Sequence, residues 1–326
     1  MGDNGKKHWI GFDLGGTKML CVLFDHKFNL VASLRKKTRA EEGAPGGIDR
    51  MIDMIEKVLE EAHLDRNDLG GIGAGCPGPL DLDRGLVLEA PNLGWKNVEL
   101  RETFEKKFKV PVAIANDVDA GTFGEYRFGA AQKARCVVGV FPGTGIGGGC
   151  VYDGHLLRGK TGSCLEIGHI TTSNNGRLCG CGRRGCLETV ASRLAIAAEC
   201  AMAVYRGEAP ALQKSAGTDL AKIRSGALAE AIKDGDKVVE KIVREAARQL
   251  GVGVGNVINI LAPDVVVLGG GLVEAMKDIF LEEVKDAVGK RAMTSFAKSV
   301  DIVAAKLDDL ATAVGAAALA AERAAS

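Results

Sequence analysis

Two short apolar runs open the chain, residues 9–14 and 19–24, joined by the polar turn Gly15-Gly16-Thr17-Lys18. Apolar runs of this length around a glycine pair predict two strands and a tight turn. Downstream, Ile48, Met51, Ile52, Ile55, Val58, Leu59 and Ala62 recur at helical spacing and predict an amphipathic helix. Residues 69–75 read as a buried strand, Leu100, Phe104 and Phe108 mark another helix, and 110–115 the strand after it. A helix is expected over 117–126. Residues 136–141 then predict a strand, 143–149 a turn and 150–152 another strand, repeating the pattern of residues 9–24. Two glycine-turned hairpins suggest a duplicated architecture. The rest is mostly helical, over 187–205, 237–261 and 272–289, with a buried strand at 265–268 ending in Gly269-Gly270-Gly271. Residues 206–228 have weak periodicity and mixed charge and read as an insertion whose structure the pattern does not specify. The alanine-rich tail, 311–324, has high helix propensity. Strands alternating with helices make this an α/β chain.

Length and composition then bound the picture. A chain of 326 residues is long for one core, so two lobes are expected. A small α/β lobe is assigned to 1–118, with the helix at 309–326 packing back on it, and a larger lobe to 119–308. Lysine plus arginine equals aspartate plus glutamate, 42 against 42, so no global field favours a polyanion such as nucleic acid. No apolar stretch has the length to cross a bilayer, and the first ten residues lack a secretory core. Gly2 invites a myristoylation reading, but Lys6 stands where that signal wants Ser or Thr. A cytoplasmic location follows. Nine cysteines in a chain this long are not a disulfide framework. The 44 glycines cluster between apolar runs, as turns between strands or as places where backbone approaches a ligand.

The first such turn, Asp13-Leu14-Gly15-Gly16-Thr17-Lys18, sets a carboxylate at a strand end. Its backbone N–H groups and the Thr17 hydroxyl can meet phosphate oxygens, and Asp13 can hold a magnesium ion through its waters. A plain hairpin with a surface aspartate is the alternative. The second, Gly143-Thr144-Gly145-Ile146-Gly147-Gly148-Gly149, satisfies G-x-G-x-x-G by letter. A strand follows it rather than a helix, so the dinucleotide reading fails on context. Neither of these two turns ends in Gly-Lys-Ser/Thr, so neither reads as a Walker A loop. Gly269, Gly270 and Gly271 form a third close-approach loop suited to an adenosine.

A metal set stands out in Cys179-x-Cys181-Gly-x-x-Gly-Cys186, with His169 ten residues upstream. Three thiolates and an imidazole make a closed tetrahedral zinc site, structural because no ligand position stays open. Buried free cysteines beside a core histidine are the alternative. The remaining six (Cys21, Cys76, Cys136, Cys150, Cys164 and Cys200) read as small core residues.

Taken in order, Asp13 to Lys18, Asn116-Asp117, Glu166-x-Gly168-His169, Cys179 to Cys186 with Glu188, and Gly269 to Gly271 resemble the ROK sugar kinases, a branch of the actin-like ATPases. The resemblance runs from about residue 8 to the end and is most specific from Leu165 to Ser192. It implies a two-lobed, ribonuclease H-like α/β fold with an interlobe cleft. ATP with Mg²⁺ would be bound by Asp13, Gly15, Gly16, Thr17, Lys18, Gly143, Thr144, Gly145, Gly269, Gly270 and Gly271. The resemblance makes Asp117 the general base, although Asn116-Asp117 alone reads as the cap of the helix it begins. Glu166, His169 and Glu188, with Asn116 and Asn92, would hold the sugar; alone, Glu188 reads as a solvated carboxylate at a helix start.

The activity implied is phosphorylation of the 6-hydroxyl of glucose. N-acetylmannosamine, N-acetylglucosamine, fructose or allose is the alternative substrate, and a homodimer or homotetramer is expected. Regulators of the same family carry an N-terminal helix-turn-helix domain, for which the roughly eight residues before the first strand leave no room. A non-catalytic sugar sensor would have lost Asp117 or the Asp13 turn, and both are present.

Overall fold

A computed structural model describes residues 7–160 and 162–325, so the reading of Gly2 and Lys6 lies outside the described residues. The contacts divide the chain into two units. The first takes residues up to Lys133, Gly149–Cys164 and the chain from Asp309 onward; the second takes Ala134–Gly148 and Leu165–Asp308.

In the first unit, β1 (His8–Leu14), β2 (Lys18–Phe24) and β3 (Leu30–Lys37) form an antiparallel meander. β4 (Leu69–Cys76) lies parallel to β1. A small antiparallel sheet of β5 (Leu80–Asp81), β6 (Leu86–Ala90) and β7 (Trp95–Val98) comes next. β8 (Val112–Asn116) then pairs in parallel with β4, giving the main sheet the order β3-β2-β1-β4-β8. Successive strand residues point to opposite faces. Ile10, Phe12 and Leu14 therefore share a core with Met51, Met54, Ile55 and Val58 of α1 (Gly43–Glu61). α2 (Leu100–Phe108) and α3 (Asp117–Arg127) flank β8 in sequence.

The opposite face carries Gly11 and Gly73, and the C-terminal helix Ala311–Ala325 lies directly on them. A Cβ at Gly11 would stand 2.0 Å from the Ala313 carbonyl oxygen, and one at Gly73 only 1.8 Å from that of Ala316. Backbone packs on backbone here. The alanine-rich tail is thus a buried helix, and its small side chains serve close approach as much as helix propensity.

A second sheet takes β9 (Cys136–Pro142), β10 (Ile146–Tyr152), β11 (His155–Leu156), β12 (Val265–Leu268) and β13 (Asp301–Ala304) in the order β11-β10-β9-β12-β13; β10 from Gly149 onward and β11 are grouped with the first unit, the rest with the second. β12 is parallel to both its neighbours. Counted along the chain, both sheets run third, second, first, fourth, fifth, as a duplicated architecture requires. Helices α4 (Glu188–Ala191), α5 (Arg193–Tyr205), α6 (Pro210–Ser215), α7 (Ser225–Lys233), α8 (Lys237–Leu261), α9 (Gly271–Ala275), α10 (Lys277–Arg291) and α11 (Thr294–Ser299) complete the unit.

Several expected elements are redrawn. The turn read at 143–149 ends at Gly145, because β10 begins at Ile146 and its glycines lie within the strand. The helix expected over 187–205 breaks at Ser192, whose extended backbone and side-chain bond to the Ala195 N–H cap α5. The helix expected over 272–289 is interrupted at Met276. Residues 206–228, whose structure the pattern left open, include α6 and the start of α7. No helix among the described residues is long and apolar enough to cross a membrane.

Candidate functional site

The first unit brings two aspartates to neighbouring strand ends. Asp13 is near the end of β1 and Asp117 follows the end of β8, with β4 between them in the parallel ladder. C-terminal ends of parallel strands are where α/β sheets bind ligands. Between the two stands Gly75, in register with both Asp13 and Ala115; a Cβ there would come within 3.4 Å of the Asp117 Cα and 2.3 Å of the Thr312 methyl. Asn116 caps α3, its side-chain oxygen accepting from the N–H groups of Val118 (2.9 Å) and Asp119 (3.3 Å). The N-cap position that the residues alone assigned to Asp117 is thus taken by Asn116, while Asp117 Oδ1 also accepts from the Val118 N–H at 2.9 Å. Asp117 is left in the first helical turn, where the helix dipole favours a carboxylate.

Asp13 carries an electrostatic cost. Burial, then the nearby charges of Asp117 and Asp309, push its pKa up to about 7, against the opposing pull of Arg35. The register explains the arrangement. Asp13 pairs with Leu20 and Leu20 with Arg35, so the three form one row across β1, β2 and β3. Arg35 in turn holds Asp309, just before the C-terminal helix, in a 2.7 Å ion pair.

The turn after β1 is closed by the Gly15 N–H donating to the Lys18 carbonyl at 3.0 Å. Buried Thr38 clamps it from outside, its hydroxyl donating to the Gly15 carbonyl (2.6 Å) and its N–H to that of Thr17 (3.0 Å). Gly16, Thr17 and Lys18 remain exposed, as a phosphate-binding turn requires. Asn92 lies against this turn, its Cβ 3.1 Å from where a Gly16 Cβ would stand.

The second unit assembles the other predicted residues. The turn Gly143-Thr144-Gly145 is closed by the Gly143 N–H on the Gly145 carbonyl at 2.8 Å. Arg193 braces it, with its N–H on the Gly143 carbonyl and its guanidinium on the Thr144 hydroxyl, both at 2.9 Å. Gly145 faces Glu188, whose Oε2 would be 2.9 Å from an added Cβ. Gly269 sits on the Phe141 ring and Gly270, at φ +80°, on the Pro142 carbonyl, so the third glycine loop joins the strand end that feeds the second. Gly271 begins α9. Glu166 is exposed, and its carbonyl accepts from the His169 N–H at 2.9 Å.

His169, Cys179, Cys181 and Cys186 converge, with donor atoms all within 4.8 Å of one another. Cys181 Sγ and Cys186 Sγ are 3.7 Å apart, and Cys179 Sγ and His169 Nδ1 are 3.6 Å apart. Tetrahedral zinc with Zn–S near 2.3 Å and Zn–N near 2.05 Å requires edges of about 3.8 and about 3.6 Å, so the donor set fits that ion. Glu188 touches the same cluster, accepting from Cys179 Sγ at 2.9 Å and standing 3.7 Å from His169 Nδ1. Burial and this bond push the Cys179 thiol up to about 12. Since Nδ1 faces the cysteines, Nε2 of His169 is the nitrogen left for another partner.

Sequence reasoning missed Thr38, Arg35, Asp309 and Arg193. None stands in a glycine or cysteine motif, and each acts through a long-range contact that periodicity cannot register. Ser192-Arg193 carried the only signal, as an N-cap beginning a second helix.

The family model for the ROK family matches residues 9–323. A glucokinase of Thermotoga maritima is 33% identical over 315 residues, covering 96% of this chain and 97% of that one. A xylose repressor of Caldicellulosiruptor bescii is 31% identical over 306 residues, covering 94% of this chain and 76% of the repressor. The crystal structure of a ROK family glucokinase from Streptomyces griseus, in complex with glucose and AMPPNP, superposes with a TM-score of 0.82 at 31% identity, over 97% of this chain and 99% of that one. The duplicated sheet order and these similarities agree on the α/β fold of the actin-like ATPases, and the chain belongs to the ROK family.

Proposed function

We propose that this protein is an ATP-dependent sugar kinase that phosphorylates the 6-hydroxyl of glucose. The observation that carries the reading is the pair Asp13 and Asp117 at the ends of β1 and β8, with Asn116 taking over the helix cap. Asp117 accepts the proton of the sugar hydroxyl as its oxygen attacks the γ-phosphorus of ATP, and the bond to the β-phosphate oxygen breaks to release ADP. Gly15, Gly16, Thr17 and Lys18, with Gly143, Thr144 and Gly145, are assigned to the phosphates, and Gly269, Gly270 and Gly271 to the adenosine. Magnesium bound with ATP would neutralise phosphate charge, and Asp13 is the residue to hold it through its waters.

Asn92, Asn116, Glu166, His169 and Glu188 are assigned to the sugar hydroxyls, with Nε2 the donating atom of His169. Zinc on Nδ1 and the three thiolates would fix that ring's orientation. Glucose is favoured over other hexoses and N-acetylhexosamines by the similarity to glucokinases of T. maritima and S. griseus.

A second reading, a sugar-responsive regulator, draws on the similarity to the C. bescii repressor. Coupled ADP release with Mg-ATP and a panel of sugars, run beside Asp117→Asn, separates them. Turnover on glucose that falls at least 10³-fold in the variant is expected. Turnover on another sugar alone would replace glucose, and none on any sugar by metal-loaded protein would sink the kinase reading.

A further inference from the structure

The first unit holds a polar cavity of about 380 Å³ beside β8. Its floor is the edge strand itself at Ala113 and Ile114. None of the residues assigned above to sugar, nucleotide or metal lines it. Its volume is within the range of small-molecule sites.

Three guanidinium groups line this cavity: Arg101 from α2, Arg158, and Arg323 from the C-terminal helix. Arg101 is only 9% exposed. It spends its two Nη groups on the backbone carbonyls of Asp83 (2.9 Å) and Leu82 (2.6 Å), and no carboxylate bonds to it. Its buried Nε has no hydrogen-bond partner among the described residues. Burial and the neighbouring charge of Arg323 both work against its positive charge, which an anion in the cavity would relieve. Arg158 makes no hydrogen bond or ion pair among the described residues. Arg323 reaches a carboxylate only loosely, Glu105 at 3.8 Å.

Two carboxylates complete the wall, Asp83 and Glu322. Glu322 is already engaged by Arg127 at 2.8 Å. A bare anion would meet the arginines and be repelled by these acids. A phosphate ester bearing hydroxyl groups satisfies both, since guanidinium groups bind phosphate oxygens and carboxylates accept from hydroxyls.

We propose that this cavity is a binding site for a sugar phosphate, separate from the residues assigned to catalysis. It lies three residues, about 10 Å, before Asn116 on the strand that leads to Asp117. Its ligand class is that of the product of the proposed reaction, and only the choice of probe rests on that reading.

The test is calorimetric binding of glucose 6-phosphate with glucose and AMPPNP present in excess, so that catalytic subsites are occupied. Inorganic phosphate is titrated in parallel, and both are repeated on Arg158→Gln/Arg323→Gln, two exposed positions outside the core. The expected result is one site per chain in the parent protein. Affinity should fall at least tenfold in the double variant, and inorganic phosphate should bind at least tenfold more weakly than the ester. The variant's ADP release without added ester should match the parent's.

Absence of binding to the parent protein would overturn the proposal, as would equal binding by the double variant. Inorganic phosphate binding as tightly as the ester would reduce the cavity to an anion site and overturn the sugar-phosphate assignment. Calorimetry needs no turnover, so a failure of the kinase reading shows separately, as missing ADP release by the parent.

Discussion

Replacing Asp13 by Asn isolates the electrostatic cost that the first unit carries beside the turn after β1. The Asp13 pKa moves from 3.8 to about 7 because burial and the charges of Asp117 and Asp309 disfavour the carboxylate. The folded form therefore binds its proton more tightly than the unfolded chain does. Stability from this group is fully present below pH 3.8, is lost as pH rises, and stays lost above about 7. About three pH units at about 1.36 kcal/mol each set a ceiling of roughly 4 kcal/mol. The carboxylate is only half-buried, so about 2 kcal/mol is the expected net cost. Asparagine has the shape of the protonated acid and never ionises. In magnesium-free buffer at pH 8, urea unfolding should show Asp13→Asn more stable than the parent by about 2 kcal/mol. The gain should shrink as pH falls through about 5 and be mostly lost near pH 4. The same variant should lose kinase turnover, making the site a case of stability given up for function. A variant that is no more stable at pH 8, or whose gain does not grow with pH, would refute the reasoning.

Four further outcomes follow from named positions. Cys181→Ser should lower bound zinc, measured by elemental analysis, from one per chain to well below one. It should also lower the unfolding temperature by several degrees, because a structural ion contributes on the order of 10 kcal/mol to local folding. Gly73→Val should cost more than about 3 kcal/mol, since its Cβ would stand 1.8 Å from the Ala316 carbonyl oxygen and lift the C-terminal helix. Gly226→Ala, in α7 with nothing within 4 Å, should be neutral or stabilising by about 0.5–1 kcal/mol in the same denaturation series. Thr38→Val should remove the 2.6 Å bond to the Gly15 carbonyl, cost about 1–2 kcal/mol, and raise the KM for ATP more than that for sugar.

What could be read from the sequence is what short-range chemistry encodes. The hairpin of β1 and β2 and the helix α1 were legible because glycine pairs and apolar periods act over a few residues. The metal cluster was legible because Cys179, Cys181 and Cys186 are near in sequence as well as in space. β3 was not, because an edge strand reading LVASLRKK buries little beyond Ala32 and so shows no apolar run. β13 was hidden for a related reason, having four residues of which only Ile302 is fully buried. The glycines of β10 misled for the opposite reason. Gly148 and Gly149 are small to admit Leu165 and Thr122, a tertiary demand that looks in sequence like a turn.

The same distinction governs the site. Asn116 and Asp117 are adjacent, so sequence alone could not decide which residue takes the N-cap position; the bonds from Val118 and Asp119 to the Asn116 side chain decide it. The tuning of Asp13 by Arg35 and Asp309 joins residues that are 274 positions apart. It exists only because Asp13, Leu20 and Arg35 share a row across three strands and the C-terminal helix returns to that face. A motif can therefore single out a carboxylate at a strand end. The sheet register sets the charge it carries at a given pH.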